Sequence, residues 1–257
     1  MITLSDINDT VIADYLAEQS CSLYSTRIKA LLKAYGSYNG LIDVWYQKED
    51  SVTAYIVRYG GEFVADVLPG ADVEEIVNLC KLVGGTALLC RPVYGKDTGI
   101  LGAVMCANAS LLCSESFCGA DYSFTFDVNL SDYYSLLSQC NGDDFKAILY
   151  EDFVADISHR IRKNTARLLG CYFENKLVSC AAATAVYKSG AVVAGVATLQ
   201  NYRRKGLATA VVTRLCESLF DSGVENIYLQ RDKNKNYRLY SNIGFNDVGT
   251  FQQIELL

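Results

Sequence analysis

The alternation of apolar and polar positions is most regular in the second half of the chain. Apolar residues recur every four positions from Phe153 to Ile161 and predict a helix over Glu151–Asn164. A second amphipathic stretch predicts a helix that begins at Leu207 and ends near Gly223. Between the two helices, apolar runs separated by short polar turns predict three antiparallel strands, namely Ala166–Phe173, Leu177–Tyr187 and Ala191–Leu199.

The last part of the chain continues the same alternation. Asn226–Arg231 is predicted as a strand, a short helix runs through Tyr240 and stops at Gly244, and Thr250–Leu256 is the final strand. Helix, antiparallel strands, helix, strand, helix and strand in this order predict a mixed α/β fold with a largely antiparallel sheet flanked by helices.

The first half repeats part of this order. A turn at Pro69-Gly70 precedes a predicted helix over Val73–Val83, and an apolar strand over Thr86–Arg91 follows it. Three short strands come earlier, at Leu41–Gln47, Ser51–Arg58 and Glu62–Val67. We therefore predict two domains, at 1–118 and 119–257, the first being either a degenerate copy of the second or an unrelated α+β domain.

Residues Val193–Val212, VAGVATLQNYRRKGLATAVV, carry the clearest functional pattern. An apolar strand enters a basic, glycine-containing loop, and the loop leads directly into a helix whose first N–H groups have no internal partner. Gly206 allows close approach of a ligand to the backbone, and Arg203, Arg204 and Lys205 add positive charge. The pattern predicts an anion site, the alternative being a basic turn without a ligand.

The spacing Arg203-x-x-Gly206-x-Ala208 resembles the Q/R-x-x-G-x-G/A signature of the GNAT superfamily of acyl-CoA-dependent N-acyltransferases. The resemblance covers roughly residues 120 to 257, and it implies the GNAT fold and acetyl-CoA as co-substrate. It further implies that the loop wraps the pyrophosphate of coenzyme A and that the preceding strand binds pantetheine. The cofactor-binding residues implied in this way are Val196, Ala197, Thr198, Arg203, Arg204, Lys205, Gly206, Leu207, Ala208 and Thr209.

A second resemblance concerns the proton donor. LYSNIGF, at 239–245, is similar to the L-Y-x-x-x-G-F motif of the same family, whose tyrosine often protonates the departing coenzyme A thiolate. It implies Tyr240 as the general acid, a role that suits a phenol with a pKa near 10. Lys233 stands where the family commonly has an asparagine, so Asn234 either contacts pantetheine or serves as a polar helix start.

No general base is evident. The two central predicted strands contain neither carboxylate nor histidine, which leaves Asp232, Glu225, His159, a water chain or a group from the first domain. Four basic residues lie near the end of the helix that borders the acceptor in the GNAT family. They either attract an acidic acceptor or simply complement the helix dipole, and they are Arg160, Arg162, Lys163 and Arg167.

Composition argues against several classes of function and location. The formal net charge of −6 argues against general binding of nucleic acid or of an anionic membrane. Ten cysteines without a C-x-x-C pattern, and a single histidine, predict reduced core thiols, no metal and a cytoplasmic protein. Neither a signal peptide nor a membrane-spanning stretch is predicted.

These patterns predict an N-acetyltransferase that transfers acetyl from acetyl-CoA to a primary amine of a small molecule or peptide by direct attack. The alternatives are a non-catalytic acyl-CoA-binding or regulatory module, and an aminoacyl transferase that uses charged tRNA, against which the acidic balance argues. One acyl-CoA site per chain is expected because Asp72, Glu74 and Glu75 at the corresponding helix start would repel a pyrophosphate. Monomer and homodimer remain equally open.

Overall fold

A computed structural model describes residues 1–19, 21–36, 40–92, 99–113, 119, 121–141, 148–233 and 235–256. Within these ranges the strands are β1 Ile2–Ser5, β2 Ile42–Lys48, β3 Val52–Tyr59, β4 Glu62–Val67, β5 Ala87–Cys90, β6 Ile100–Ala107, β7 Tyr122–Thr125, β8 Arg167–Phe173, β9 Lys176–Tyr187, β10 Gly190–Thr198, β11 Asn226–Asp232 and β12 Asn246–Glu255. The helices are α1 Thr10–Ala17, α2 Leu23–Tyr35, α3 Val73–Leu82, α4 Leu130–Asn141, α5 Tyr150–Arg162, α6 Leu207–Asp221 and α7 Tyr237–Ile243.

All twelve of these strands form one sheet, in the order β1-β2-β3-β4-β5-β12-β6-β11-β10-β9-β8-β7. Two neighbouring pairs are parallel, β4 with β5 and β10 with β11, and each parallel pair is connected through a helix. The α3 crossover in the first half thus repeats the α6 crossover in the second, as the sequence predicts. The predicted fold class, a largely antiparallel sheet flanked by helices, is confirmed.

The two halves exchange their last strands. β6 ends the first half but pairs with β11 of the second half, and β12 ends the chain but pairs with β5 of the first. β6 and β12 also pair with each other, so they join the two halves at the centre of the sheet. The final strand, predicted to begin at Thr250, already begins at Asn246.

Helix α2 lies between the two halves. It contacts β4 on one side and β9 and β10 on the other, and for this reason most of its side chains are buried. Its start is fixed by a capping box in which Ser22 and Ser25 each accept from the other's backbone N–H. The buried ammonium of Lys29 donates to the carbonyl of Glu18. The helix therefore holds both halves of the sheet in a fixed relation.

Candidate active site

The parallel strands β10 and β11 separate before they end. Their pairing runs from Gly190 opposite Asn226 to Val193 opposite Leu229 and then stops. β10 continues along β9, whereas β11 continues along β6. We call the gap between residues 194–198 of β10 and 230–232 of β11 the fork. A fork of this kind leaves backbone groups of both strands free to bind a ligand.

A bulge in β10 lies at the fork. The pairing of β10 with β9 is irregular between Ala194 and Ala197, and Gly195 adopts a positive φ of 58°. A Cβ atom on Gly195 would lie 2.3 Å from the hydroxyl oxygen of Tyr133 in α4. Glycine is therefore required here by backbone conformation and by space. The sequence analysis missed both residues, although a glycine inside a strand of valines and alanines is a usable signal for a bulge.

Three strand residues are implied by the resemblance, and the carbonyl groups of two of them already accept hydrogen bonds from side chains of the protein. The carbonyl of Ala197 accepts from the hydroxyl of Ser179 at 3.1 Å, and the carbonyl of Thr198 accepts from Arg203 Nε at 3.0 Å. Val196 lies inside the bulge and is half-buried. Val196 is thus the residue of this predicted segment that lies within the irregular section of β10.

The loop after β10 presents the start of α6 without a side-chain cap. Arg204 and Gly206 have φ values of 63° and 79°, and Gly206 occupies the N-cap position. The first intrahelical bond is donated by the Ala210 N–H to the Gly206 carbonyl at 2.9 Å. The amides of Leu207, Ala208 and Thr209 precede that bond and have no acceptor within the helix. They form the uncapped helix start at which the sequence analysis predicts an anion site.

The basic side chains of this loop are exposed around the helix start. Arg203 is fixed to the end of β10 by its bond to Thr198, and the Lys205 ammonium lies 5.0 Å from the ring centroid of Tyr202. Leu207 is buried in the core beneath them and anchors the loop. The charge of the loop is therefore held at the mouth of the fork.

The corresponding helix start in the first half is filled by the protein's own groups. The carboxylate of Asp72 accepts from the Glu75 N–H at 3.0 Å, and Gln47 donates to the Asp72 carbonyl and to the Glu75 carboxylate. The backbone N–H of Ile2 also donates to Glu75. The Asp72 carboxylate thus caps the helix start at which an anion would otherwise bind, which gives the predicted asymmetry between the two halves a physical basis.

Tyr240 lies in α7, which packs against α6. Its ring meets that of Phe245 edge to face at 6.1 Å, and burial raises the pKa of the phenol above its usual value near 10. The group is therefore a protonated donor at neutral pH, as a general acid must be. Asn234, the other residue expected near this helix, lies outside the described residues.

The strand cysteines are unsuited to act as nucleophiles. Burial raises the pKa of Cys171 to about 11 and that of Cys180 to about 12. Both remain thiols at neutral pH, whereas the thiolate is the reactive form. No group of three or more histidine, cysteine, aspartate or glutamate residues that could hold a metal occurs in the described part of the chain.

The three candidate bases lie in different places. His159 joins α5 to α2, since its Nε2 is 2.8 Å from the carbonyl of Ala34 and its ring stacks on Tyr35. Glu225 precedes β11 and lies at the end opposite the fork. Asp232 ends β11 at the fork and forms an ion pair of 3.4 Å with Lys235. Of the three, only Asp232 is at the fork.

The four basic residues near the end of α5 are not brought together. Arg160 binds Asp156 at 2.8 Å, and Arg167 donates to the carbonyl of Ser218 in α6 at 2.6 Å. Arg162 is exposed and Lys163 is half-buried. A different arginine, Arg27, reaches the fork.

Arg27, in α2 of the first half, donates from Nη2 to Gln230 Oε1 at 2.5 Å. Gln230 is the first β11 residue beyond the last parallel pair, so Arg27 contacts the fork from the other half. The sequence analysis missed both residues, and no local pattern points to a contact between positions 203 residues apart.

Comparison with known proteins agrees with this geometry. Residues 130–245 match the family model described as the Acetyltransferase (GNAT) family. No curated protein sequence matches the chain. Among the described residues, no helix is long and apolar enough to cross a membrane.

Three solved structures share the fold over nearly the whole chain. A tandem GNAT protein from the clavulanic acid biosynthesis pathway matches with a TM-score of 0.62 at 12% identity, covering 100% of this chain and 98% of that one. A GNAT-family acetyltransferase from Colwellia psychrerythraea gives 0.60 at 13% identity and covers 99% of both chains. A GCN5-related N-acetyltransferase from Kribbella flavida gives 0.61 at 14% identity, covering 92% of this chain and 96% of that one. The tandem neighbour is consistent with a GNAT-like first half.

Proposed function

We propose that this chain, whose residues 130–245 match the GNAT acetyltransferase family, transfers an acetyl group from acetyl-CoA to a primary amine of a small molecule or peptide. One observation carries the proposal. The fork and the uncapped start of α6 belong to the same strand–loop–helix connection, so one extended ligand can reach both. An elongated thioester with a pyrophosphate at one end fits such a site.

In this proposal the amides of Leu207, Ala208 and Thr209 bind the pyrophosphate, with Arg203, Arg204 and Lys205 supplying charge. The pantetheine arm lies in the fork, where backbone groups of β10 bind it. The acetyl carbonyl then lies at the bulge, and the N–H of Val196 or Ala197 stabilises the oxyanion.

Direct attack by the amine follows from the thiol chemistry of the site, because Cys171 and Cys180 are held as thiols. The amine nitrogen bonds to the acetyl carbon, the C–S bond breaks, and Tyr240 donates its proton to the departing thiolate. Asp232, at the open end of the fork, is the residue best placed to take the proton of the amine, either itself or through water.

The test is an acetyl-transfer assay of the whole chain with acetyl-CoA and a broad panel of primary amines. Release of free thiol and formation of acetylated product are both measured. Transfer to at least one amine, lost in Gly206→Val and retained in Gly223→Val, supports the proposal. Both glycines have positive φ, 79° and 91°, at opposite ends of α6, so the pair separates loss of the anion site from general backbone strain.

The alternative is a non-catalytic acyl-CoA-binding or regulatory module. It is favoured by the lack of a carboxylate or histidine in β9 and β10. Tight binding of acetyl-CoA without transfer to any amine in the panel would decide for this alternative and against catalysis.

A further inference from the structure

The side chain of Arg27 stands apart from the other buried cations of the molecule. It lies between the two halves and is largely buried, although part of the side chain stays accessible. Its Nε is buried and has no hydrogen-bond partner. An unsatisfied buried donor of a charged group is costly, and most such groups in proteins are paired.

The charges around Arg27 do not neutralise it. Burial lowers the pKa of Arg27 to about 10, and repulsion from the nearby Arg160 contributes to this lowering. Glu62 acts in the opposite sense but forms no ion pair with Arg27. The carboxylate that could have balanced the two arginines, Asp156, is taken by Arg160 and by the hydroxyls of Tyr35 and Tyr59.

The position of Arg27 links this unbalanced charge to the fork. Its guanidinium donates to Gln230, the first β11 residue beyond the parallel pairing. The Gln230 oxygen orients the guanidinium. The unpartnered Nε–H and the Nη2 amino group belong to one edge of the planar guanidinium, the kind of edge through which arginine binds a carboxylate with two parallel hydrogen bonds.

We propose that Arg27 is a specificity-determining residue that binds the carboxylate of the acceptor, so that the preferred substrates are amines that also carry a carboxylate. The inference rests on the proposed acetyl transfer. It also gives the first half a function, because α2 contributes a cationic side chain to the fork from that half.

The experiment uses amine acceptors in matched pairs: α-, β- and γ-amino acids and dipeptides, each beside its carboxamide. For the wild-type protein, kcat/KM for the carboxylate is expected to exceed that for the carboxamide at least tenfold. Arg27→Met should lower kcat/KM for the carboxylate by ten- to a thousand-fold and leave the carboxamide nearly unchanged. Arg27→Lys keeps the positive charge but lacks the two parallel N–H donors of the guanidinium. It should therefore recover only part of the kcat/KM that Arg27→Met loses for the carboxylate.

Arg214→Met is the matched control, because Arg214 is an exposed arginine of α6 and should leave the preference intact. Calorimetry with acetyl-CoA on every variant separates this inference from the proposed function. If the wild-type protein does not bind acetyl-CoA, the proposed acetyl transfer itself is refuted. Equal losses for carboxylate and carboxamide in Arg27→Met, or a wild-type preference for carboxamides, would overturn the role of Arg27.

A binding measurement covers the case in which no amine is acetylated. The protein saturated with coenzyme A is titrated with the same matched pairs, and the wild-type protein is expected to bind a carboxylate member that Arg27→Met does not bind. Failure of the wild-type protein to discriminate any carboxylate from its carboxamide would also overturn the inference.

Discussion

The bulge at the fork can be tested by replacing Gly195 with alanine. The added Cβ would lie 2.3 Å from the hydroxyl oxygen of Tyr133, and φ at this position is 58°. The substitution therefore imposes two separate costs. A left-handed conformation costs a non-glycine residue about 1–2 kcal/mol. Forcing an additional methyl group into packed surroundings costs about 1–3 kcal/mol.

We thus expect Gly195→Ala to lower the free energy of unfolding by about 2–5 kcal/mol, the sum of the two costs. Removing the hydroxyl in Tyr133→Phe takes away the closest atom. The next neighbours of the added Cβ are then the ring carbon at 3.5 Å and Ala182 Cβ at 3.8 Å, which are ordinary contacts. The double variant should therefore regain the packing part of the loss, about 1–3 kcal/mol.

Urea unfolding of the four proteins of this cycle measures the effect, with acetyl-CoA binding measured in parallel. Gly223→Ala is the control, because Gly223 has φ 91° with nothing within 4 Å of its added Cβ and should show the conformational cost alone. The reasoning is refuted if Gly195→Ala costs no more than Gly223→Ala, or if the effects of Gly195→Ala and Tyr133→Phe simply add.

Three further predictions concern the acid, the first half and the contact between the halves. Tyr240→Phe should lower kcat by about 10²–10⁴ with unchanged acetyl-CoA affinity; because burial raises this pKa, the wild-type kcat should decline only above about pH 10, and the variant should lack that decline. Asp72→Ala removes a helix cap and should cost about 1 kcal/mol in urea unfolding, while calorimetry still shows one acetyl-CoA per chain. Asp156 accepts from the hydroxyls of Tyr35 and Tyr59 in the first half as well as from Arg160 of its own helix, so it links the two halves. Asp156→Asn leaves Arg160 without its carboxylate; because the Asp156 side chain is 31% exposed, we expect about 1–3 kcal/mol of destabilisation, and an unchanged urea midpoint would contradict this link.

The sequence predicted those elements whose pattern is local. β4, α3 and β5, and likewise β10, α6 and β11, lie within a few residues of their predicted bounds, because each strand is a short apolar run and each helix has one apolar face. The glycine before α6 also indicated its uncapped start, since that geometry depends on neighbouring residues only. Anion binding at this start stays a prediction.

Elements that depend on distant partners were not predicted. Helix α2 is buried on nearly all sides because it lies between two halves, so it lacks the single apolar stripe by which a helix is recognised. β6 was missed, and the exchange of β6 with β12 between the halves is invisible in either strand alone. The contact of Arg27 with Gln230 has the same origin, since nothing in the sequence indicates which residues α2 will face.

The most direct test of the account is calorimetric titration of the chain with acetyl-CoA, comparing wild type, Gly206→Val and Gly223→Val. The account predicts one site per chain in the wild type, loss of binding in Gly206→Val and unchanged binding in Gly223→Val. The account would be contradicted if the wild type showed no binding heat and a competition assay also detected no binding. Equal affinity for acetyl-CoA in all three proteins would contradict it as well.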